Sequence, residues 1–277
     1  MTSPGSAFDR AGYAAVSDFR AAEYAPIFAA LERVQSEFNA KLPEFRDPSY
    51  RWELGDALRT WSRSWEYVYA YHHIRAERER RGGTLAVADF GSGSTFFPIA
   101  VARLGTALTC LDNDPLCVRD MDAAARALGV APGSLQVLQN DLRLPLDDAV
   151  IDLAYSVSVL EHMPDPVPIV AELARIVAPG GLLVVTFDID VEGDEGVSAA
   201  HFNGLRAHLG EHFDWVYAER TIHPQDTLTS KSSPWPRPGE AHVPGLMLRT
   251  KDRRLLPLIG GPSPGVLTVY SAVLRRR

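Results

Sequence analysis

The chain has 277 residues but only two cysteines, Cys110 and Cys117. Two cysteines do not provide the disulfide framework that stabilises small secreted domains. One lies in a strand-like apolar run and the other at the start of a predicted helix, which fits reduced thiols in a folded core. We therefore expect a cytoplasmic protein whose stability comes from hydrophobic burial.

The sequence also lacks an excess of positive charge and any long apolar run. Its formal net charge is −7, which disfavours nucleic-acid binding through a broad basic face. Nothing resembles a signal peptide or a membrane span, so we expect no membrane association. The eight histidines are scattered, and the two cysteines have no second pair, so we predict no metal site.

What the sequence does contain is a glycine-rich turn that follows an apolar run. Residues 85–88 are apolar and bounded by turn residues, which predicts a buried parallel strand. Asp89 comes at its end, and Gly91 and Gly93 follow before a predicted helix over residues 96–104. Glycines at a strand-to-helix turn allow the backbone to approach a ligand closely.

A second apolar run, residues 107–111, ends at Asp112, which is 21 residues after Gly91. An acid at the tip of the next strand can accept hydrogen bonds from both hydroxyls of a ribose. A nicotinamide-binding loop prefers Gly-x-Gly-x-x-Gly, whereas Phe96 stands at the sixth position here and would obstruct a pyrophosphate. The pattern favours a nucleoside site and leaves an NAD(P)-dependent oxidoreductase as the alternative.

These residues resemble the cofactor loop of class I S-adenosylmethionine-dependent methyltransferases, although Thr95 stands where a third glycine is usual. Another segment strengthens the resemblance. After a predicted strand over residues 149–156, the chain reads Leu-Glu-His at residues 160–162, as many small-molecule members of this class do. The Pro-Gly-Gly of residues 179–181, before a further apolar run, is also familiar in this family.

The resemblance implies an α/β fold with a Rossmann-like, seven-stranded, mostly parallel sheet flanked by helices. We expect an N-terminal helical cap in residues 1–82 and the methyltransferase core in residues 83–277. The first eight residues are expected to be disordered. Residues 223–264 are rich in Pro, Gly and Ser and connect two predicted strands, so we expect a lid insertion there.

The resemblance also implies residues that bind S-adenosyl-L-methionine. Asp141, after the third strand of the core, would contact the adenine amino group beside the backbone N–H of Leu142. Arg63 can bind the methionine carboxylate, because a guanidinium fork suits a carboxylate. The full set of candidate cofactor residues is Asp89, Gly91, Ser92, Gly93, Asp112, Asn113, Asp141, Leu142, Ser156 and Arg63.

Catalysis needs a general base only if the methyl acceptor must lose a proton. His162 is the first candidate, because an unperturbed imidazole pKa of about 6.5 allows proton transfer near neutrality. Glu161 is the second candidate, and an equally good interpretation is that it orients a helix or caps a turn. For both residues, a structural role in the pocket wall stays open.

The segment before the core is unusually aromatic. Trp65, Tyr67 and Tyr71 are predicted to line the acceptor pocket together with His162, and packing inside the core is an equally good interpretation. His72 and His73 are adjacent on a predicted helix and point in different directions, so at most one faces that pocket.

We therefore predict methyl transfer from S-adenosyl-L-methionine to a small-molecule acceptor. A secondary metabolite is the hypothesis for that acceptor, motivated by the aromatic segment. The alternatives are an NAD(P)-dependent oxidoreductase and a non-catalytic binding module with a methyltransferase-like fold. The accepting atom stays open, and so does the oligomeric state, for which a homodimer is one option.

Overall fold

The computed structural model describes residues 5–49, 56–191, 199–235, 240–243, 246–249 and 266–277. The helices in these ranges are α1 (Tyr24–Phe45), α2 (Arg63–Arg81), α3 (Phe97–Ala102), α4 (Pro115–Ala127), α5 (Val167–Ile176) and α6 (Ala199–His212). The strands are β1 (Gly12–Tyr13), β2 (Leu85–Phe90), β3 (Thr106–Asp112), β4 (Leu135–Gln139), β5 (Ile151–Val157), β6 (Val177–Asp190), β7 (Phe213–Trp215), β8 (Glu240–Val243), β9 (Leu246–Arg249) and β10 (Leu267–Arg276).

Within the described ranges the main sheet has eight strands, in the order β1-β10-β6-β5-β2-β3-β4, and β7 also pairs with β10. The pairs among β2 to β6 are parallel, while β10 is antiparallel to its neighbours. The predicted mostly parallel α/β sheet is confirmed. The additional strand is β1, whose two residues are too few to produce a sequence pattern.

The order of the strands creates a crevice at one edge of the sheet. Chain order runs outward from β2 to β3 and β4 on one side, and from β5 to β6 on the other. Open α/β sheets bind ligands at such a switch point, outside the carboxyl ends of the strands. The glycine-rich turn after β2 and the segment after β5 therefore meet at the same place.

The two faces of the sheet carry separate hydrophobic clusters. Leu85 and Val87 of β2 point into the cluster that contains side chains from α1 to α4. Ala88 and Phe90 point into the opposite cluster, under α5 and α6. This alternation is the period of two expected of a strand that is buried on both faces.

Residues 5–8 are ordered in the structure, so the expectation of disorder was wrong for them, and residues 1–4 lie outside the described residues. Phe8 is fully buried, with its ring centroid 6.0 Å from that of Trp65. Arg10 and Asp18 form a buried ion pair beside it. Burial of a large ring offsets the conformational entropy that orders the segment.

The predicted lid, residues 223–264, is described only in part. Residues 236–239, 244–245 and 250–264 lie outside the described residues. Before them, the backbone N–H of Leu228 donates to Ala14 O at 2.8 Å, and the Trp235 ring stacks on Phe28 at 6.4 Å. A lid function there stays a prediction, as does the cap boundary at residue 82.

The sequence pattern of residues 213–222, before the predicted lid, predicts a strand that is much shorter in the structure. β7 ends at Trp215, because the outer edge of β10 is shared with β1, which pairs at Tyr270 and Ser271. The N-terminal segment thus occupies sheet edge that a longer β7 would otherwise cover.

Candidate active site

A cleft of about 720 Å³ lies at the carboxyl ends of β2, β3, β4 and β5, beneath α2. This volume is typical of sites for small molecules. The cleft brings together most of the residues predicted from the sequence: Arg63, Tyr67, Gly91, Ser92, Gly93, Asp112, Asn113, Asp141, Leu142 and His162.

The glycine-rich turn has a shape that only glycine allows at its first position. Gly91 has a φ of 73°, and a Cβ there would stand 2.5 Å from a side-chain methyl of Val159. Its N–H donates to Leu111 O at 2.9 Å. The turn is thereby held against β3, and its backbone comes close to whatever occupies the cleft.

Asp112 is the acid at the centre of the cleft. Its Oδ2 accepts the N–H of Gly93 at 2.7 Å, and its Oδ1 accepts the N–H of Asp114 at 2.9 Å. Burial raises the pKa of this carboxyl above its ordinary value, although the backbone hydrogen bonds oppose that shift. Each oxygen of a carboxylate accepts more than one hydrogen bond, so both remain able to bind a ribose diol.

The far end of the cleft is suited to a flat base. Asp141 and Leu142 follow β4, and 61% of the Leu142 side chain is exposed, an unusual position for a large apolar residue. Met163 and Ile169 also line the cleft. Together these groups provide an acid for an exocyclic amine and an apolar surface for a ring. An adenosyl group therefore fits three parts of the cleft: the Asp112 carboxylate with its backbone donors (the Asp112 cradle), the wall at Asp141 and Leu142, and the glycine-rich turn.

Two of the predicted cofactor residues lie behind the turn and do not line the cleft. Asp89 is buried in β2, where its Oδ2 accepts the hydroxyl of Tyr155 at 2.8 Å. Burial raises the pKa of Asp89 to about 8. Ser156 is also buried, and its hydroxyl donates to Phe90 O at 3.2 Å. Both residues support the turn from beneath.

The other end of the cleft is formed by α2 and the segment after β5. Among the described residues that line the cleft, Arg63 is the only one with a permanent positive charge. Tyr67, one turn further along α2, stacks on Phe97 with a centroid distance of 4.5 Å. His162 also lines this end, and burial together with the nearby Arg63 charge lowers its pKa. His162 is therefore neutral at pH 7 and can accept a proton.

Glu161 does not line the cleft. It is buried, and its Oε1 accepts the backbone N–H of Asp188 at 2.8 Å. Burial and the neighbouring Asp188 carboxylate raise the pKa of Glu161 well above its ordinary value. Its position fits the structural interpretation and not the role of a base that meets a ligand.

Trp65 and Tyr71, predicted to line the acceptor pocket, do not reach the cleft. Trp65 is fully buried, and its Nε1 donates to Asp18 Oδ2 at 2.8 Å. Tyr71 packs against the hydrophobic cluster beneath α1 and α2. On α2 the residues that face the cleft are spaced four apart, Arg63 and Tyr67, so Trp65 points elsewhere.

Sequence reasoning missed the residue that holds this end together, Glu66. It is fully buried and pairs with Arg63. Its Oε1 accepts the hydroxyls of Ser158 and Thr186, each at 2.6 Å. Ser158 has a φ of 49°, a left-handed conformation that is rare for a non-glycine residue. The sequence did contain a signal for this role, because Glu66 stands among aromatic residues on a helix that is expected to be buried. Acids are rarely buried without partners, so an acid at this position indicates a structural contact.

Comparison with known proteins gives a consistent class. Residues 88–185 match the family described as a methyltransferase domain. An uncharacterized methyltransferase of Mycobacterium leprae (strain Br4923) is 35% identical over 122 residues, which are 44% of this chain and 42% of that protein. One from Mycobacterium ulcerans (strain Agy99) is 34% identical over 148 residues, which are 52% and 55% respectively. The chain thus spans about half the length of these curated relatives.

Solved structures share the fold. The structure of the [4+2]-cyclase SpnF has a TM-score of 0.54 at 18% identity and covers 89% of this chain and 96% of that one. A putative sarcosine dimethylglycine methyltransferase from Galdieria sulphuraria has a TM-score of 0.51 at 18% identity, covering 75% and 85%. Such low identities show the architecture alone.

The sheet order and the cleft define a Rossmann-like α/β fold with a crevice at the carboxyl ends of its strands. The match of residues 88–185 to a methyltransferase domain, together with relatives named as methyltransferases, supports the resemblance of the motifs to class I S-adenosylmethionine-dependent methyltransferases. In the part of the chain that the structure describes, no helix combines the length and apolar character needed to cross a bilayer.

Proposed function

We propose that this protein transfers the methyl group of S-adenosyl-L-methionine to a small-molecule acceptor. The observation that carries this proposal is the cradle around Asp112, which shares one cleft with His162 and Arg63. The proposed nucleoside site and the candidate general base, His162, thus lie in the same cleft.

S-adenosyl-L-methionine, when bound, supplies an electrophilic methyl group on a sulfonium sulfur. The residues of this chain do the positioning. Asp112 would accept the ribose hydroxyls, Asp141 would accept the adenine amino group, and the backbone of Gly91 and Gly93 would hold the amino-acid tail. Arg63, fixed by Glu66, provides the positive charge for a carboxylate. Holding two reactants in line can supply about 7–11 kcal/mol of the barrier to such a displacement.

His162 is the proposed base for acceptors that must lose a proton. Its lowered pKa keeps the imidazole neutral at physiological pH, which is the form that accepts a proton. Tyr67 and the ring it stacks on make this end of the cleft aromatic. An aromatic face stabilises a nearby cation such as a sulfonium.

The acceptor is proposed to be a partly apolar small molecule of secondary metabolism. Support comes from the lining of the cleft, where the apolar side chains of Val159 and Met163 and the ring of Tyr67 accompany the polar Arg63 and His162. The formal charge of −7 disfavours a nucleic-acid acceptor. We further propose a cytoplasmic location, and a homodimer is one option for its assembly.

A turnover assay with labelled S-adenosyl-L-methionine tests the proposal. The acceptor panel should contain hydrophobic phenols and polyketide-like compounds together with polar amines and amino acids. We expect S-adenosylhomocysteine release with a member of the hydrophobic group. Turnover of polar acceptors alone would overturn the acceptor class and leave methyl transfer intact.

The alternatives give different outcomes in binding experiments. Tight binding of a nicotinamide dinucleotide without binding of S-adenosylhomocysteine would favour an oxidoreductase. Binding of S-adenosylhomocysteine without turnover of any acceptor would favour a non-catalytic module. The fold by itself does not decide, because the same architecture is found in a protein named as a [4+2]-cyclase.

A further inference from the structure

His72 and His73 of α2 both lie outside the cleft and approach the N-terminal segment, residues 5–10. A carboxylate oxygen of Asp9 and one ring nitrogen of each histidine lie within 4.8 Å of one another. Phe8 brings the two chain segments together, with its ring centroid 5.6 Å from that of His72. The sequence did not predict this cluster, because Asp9 is far from the histidines along the chain.

His72 faces Asp9 through one of its ring nitrogens. Its Nε2 is 3.5 Å from Asp9 Oδ1, while its Nδ1, on the other side of the ring, is buried without a partner among the described residues. Adjacent ligands in a tetrahedral zinc site lie roughly 3.3 Å apart, given Zn–N bonds of about 2.0 Å, so the spacing of His72 and Asp9 fits a shared ion.

His73 has the arrangement expected of a metal ligand. Its Nε2 lies 3.1 Å from Phe8 O, and because a carbonyl only accepts, this nitrogen carries the hydrogen. The lone pair is then on Nδ1. Histidines that bind metals usually donate their other N–H to a carbonyl or carboxylate in this way.

The cluster contains a carboxylate and can be reached by solvent. Asp9 contributes the negative charge, and 32% of its side chain is exposed, so solvent can reach the cluster.

We propose that Asp9, His72 and His73 bind one divalent transition-metal ion of the zinc class, with water as the fourth ligand. Two imidazoles and one carboxylate are a ligand set that Zn²⁺ favours. The ion joins the N-terminal segment to α2, and so stabilises the segment that continues into β1 at the edge of the sheet. The site shares no residue with the cleft and is independent of the proposed methyl transfer.

Metal titration of tag-free, chelator-treated protein tests the site. Calorimetry with Zn²⁺ should give one equivalent, and Co²⁺ should produce the visible absorption of a tetrahedral complex. Asp9→Asn and His72→Gln should each weaken Zn²⁺ binding at least tenfold. The control is His208→Gln, which alters a surface histidine on α6 beside Glu211 and should leave binding unchanged. Hydrogen exchange of amides 5–10 should slow when Zn²⁺ is added.

The proposal is overturned if Zn²⁺ does not bind, or if binding is unaffected by both substitutions, which would indicate an adventitious ion only. Circular dichroism and urea unfolding in chelator establish that the variants fold. If His72→Gln does not fold, Asp9→Asn decides the question, because it is isosteric and its side chain is partly exposed.

Discussion

Replacing Glu66 with glutamine tests how α2 is held over the cleft. The carboxylate pairs with Arg63 and accepts hydroxyls from Ser158 and Thr186, so it joins the helix to the segments after β5 and in β6. Glutamine has the same size and keeps one acceptor oxygen, but it removes the charge. The substitution therefore leaves the Arg63 guanidinium without its partner.

The size of the effect follows from burial. Removing one member of a buried ion pair costs about 3–5 kcal/mol. The Glu66 side chain is fully buried, but 20% of the Arg63 side chain is exposed, so solvent partly stabilises the remaining charge. We expect Glu66→Gln to lower the free energy of unfolding by about 2–4 kcal/mol. S-adenosylhomocysteine should also bind more weakly, because Arg63 loses its fixed orientation.

Urea unfolding followed by circular dichroism measures the first effect, and calorimetry the second. The matched control is Glu79→Gln on the same helix, where the side chain is 70% exposed and pairs with Arg75. That change should cost less than about 0.5 kcal/mol. An unfolding free energy for Glu66→Gln within error of the parent would refute the role assigned to this carboxylate.

Three further predictions address the cleft. Gly91→Ala should abolish S-adenosylhomocysteine binding in calorimetry, because a Cβ meets Val159 at 2.5 Å and the φ is 73°; unchanged affinity would contradict the turn geometry. The folded pKa of Asp89 is about 8, against about 3.9 unfolded, so its ionisation makes the fold less stable as pH rises from 4 to 8. Asp89→Asn can still accept the Tyr155 hydroxyl but does not ionise. The unfolding free energy of this variant minus that of the parent should therefore be larger at pH 8 than at pH 5, and an equal difference at both pH values would refute this. For an acceptor that loses a proton, His162→Gln should lower kcat about 10²–10⁴-fold with little change in cofactor KM, and full activity at every pH would exclude a proton-transfer role.

The half of the cleft that we propose binds the cofactor was predictable from local spacing. Gly91, Gly93 and Asp112 follow adjacent strands, and the carboxyl ends of parallel strands meet at one edge. Asp89 and Ser156 satisfied the same pattern but lie beneath the turn, because alternation along a strand sends neighbouring side chains to opposite faces. Spacing identified the strand ends, and the alternation of side chains along each strand decided which of them line the cleft.

The half that we propose binds the acceptor was harder to predict because it depends on long-range packing. Glu66 bonds to residues that are 92 and 120 positions later in the chain, and no local pattern indicates such contacts. Trp65 and Tyr67 are both aromatic residues of α2, yet only Tyr67 lines the cleft. The rotation of α2 about its axis, which is set by Phe8 and the sheet beneath it, decides between them.

The central claim is that Asp112 holds a ribose within the cleft, and calorimetric titration with S-adenosylhomocysteine tests it most directly. The parent should bind one equivalent, and Asp112→Asn should bind at least tenfold more weakly, a loss of about 1.4 kcal/mol. Asp122→Asn, an exposed acid on α4 paired with Arg126, should bind like the parent. Absence of binding by the parent, or equal affinity for the parent and Asp112→Asn, would contradict the account.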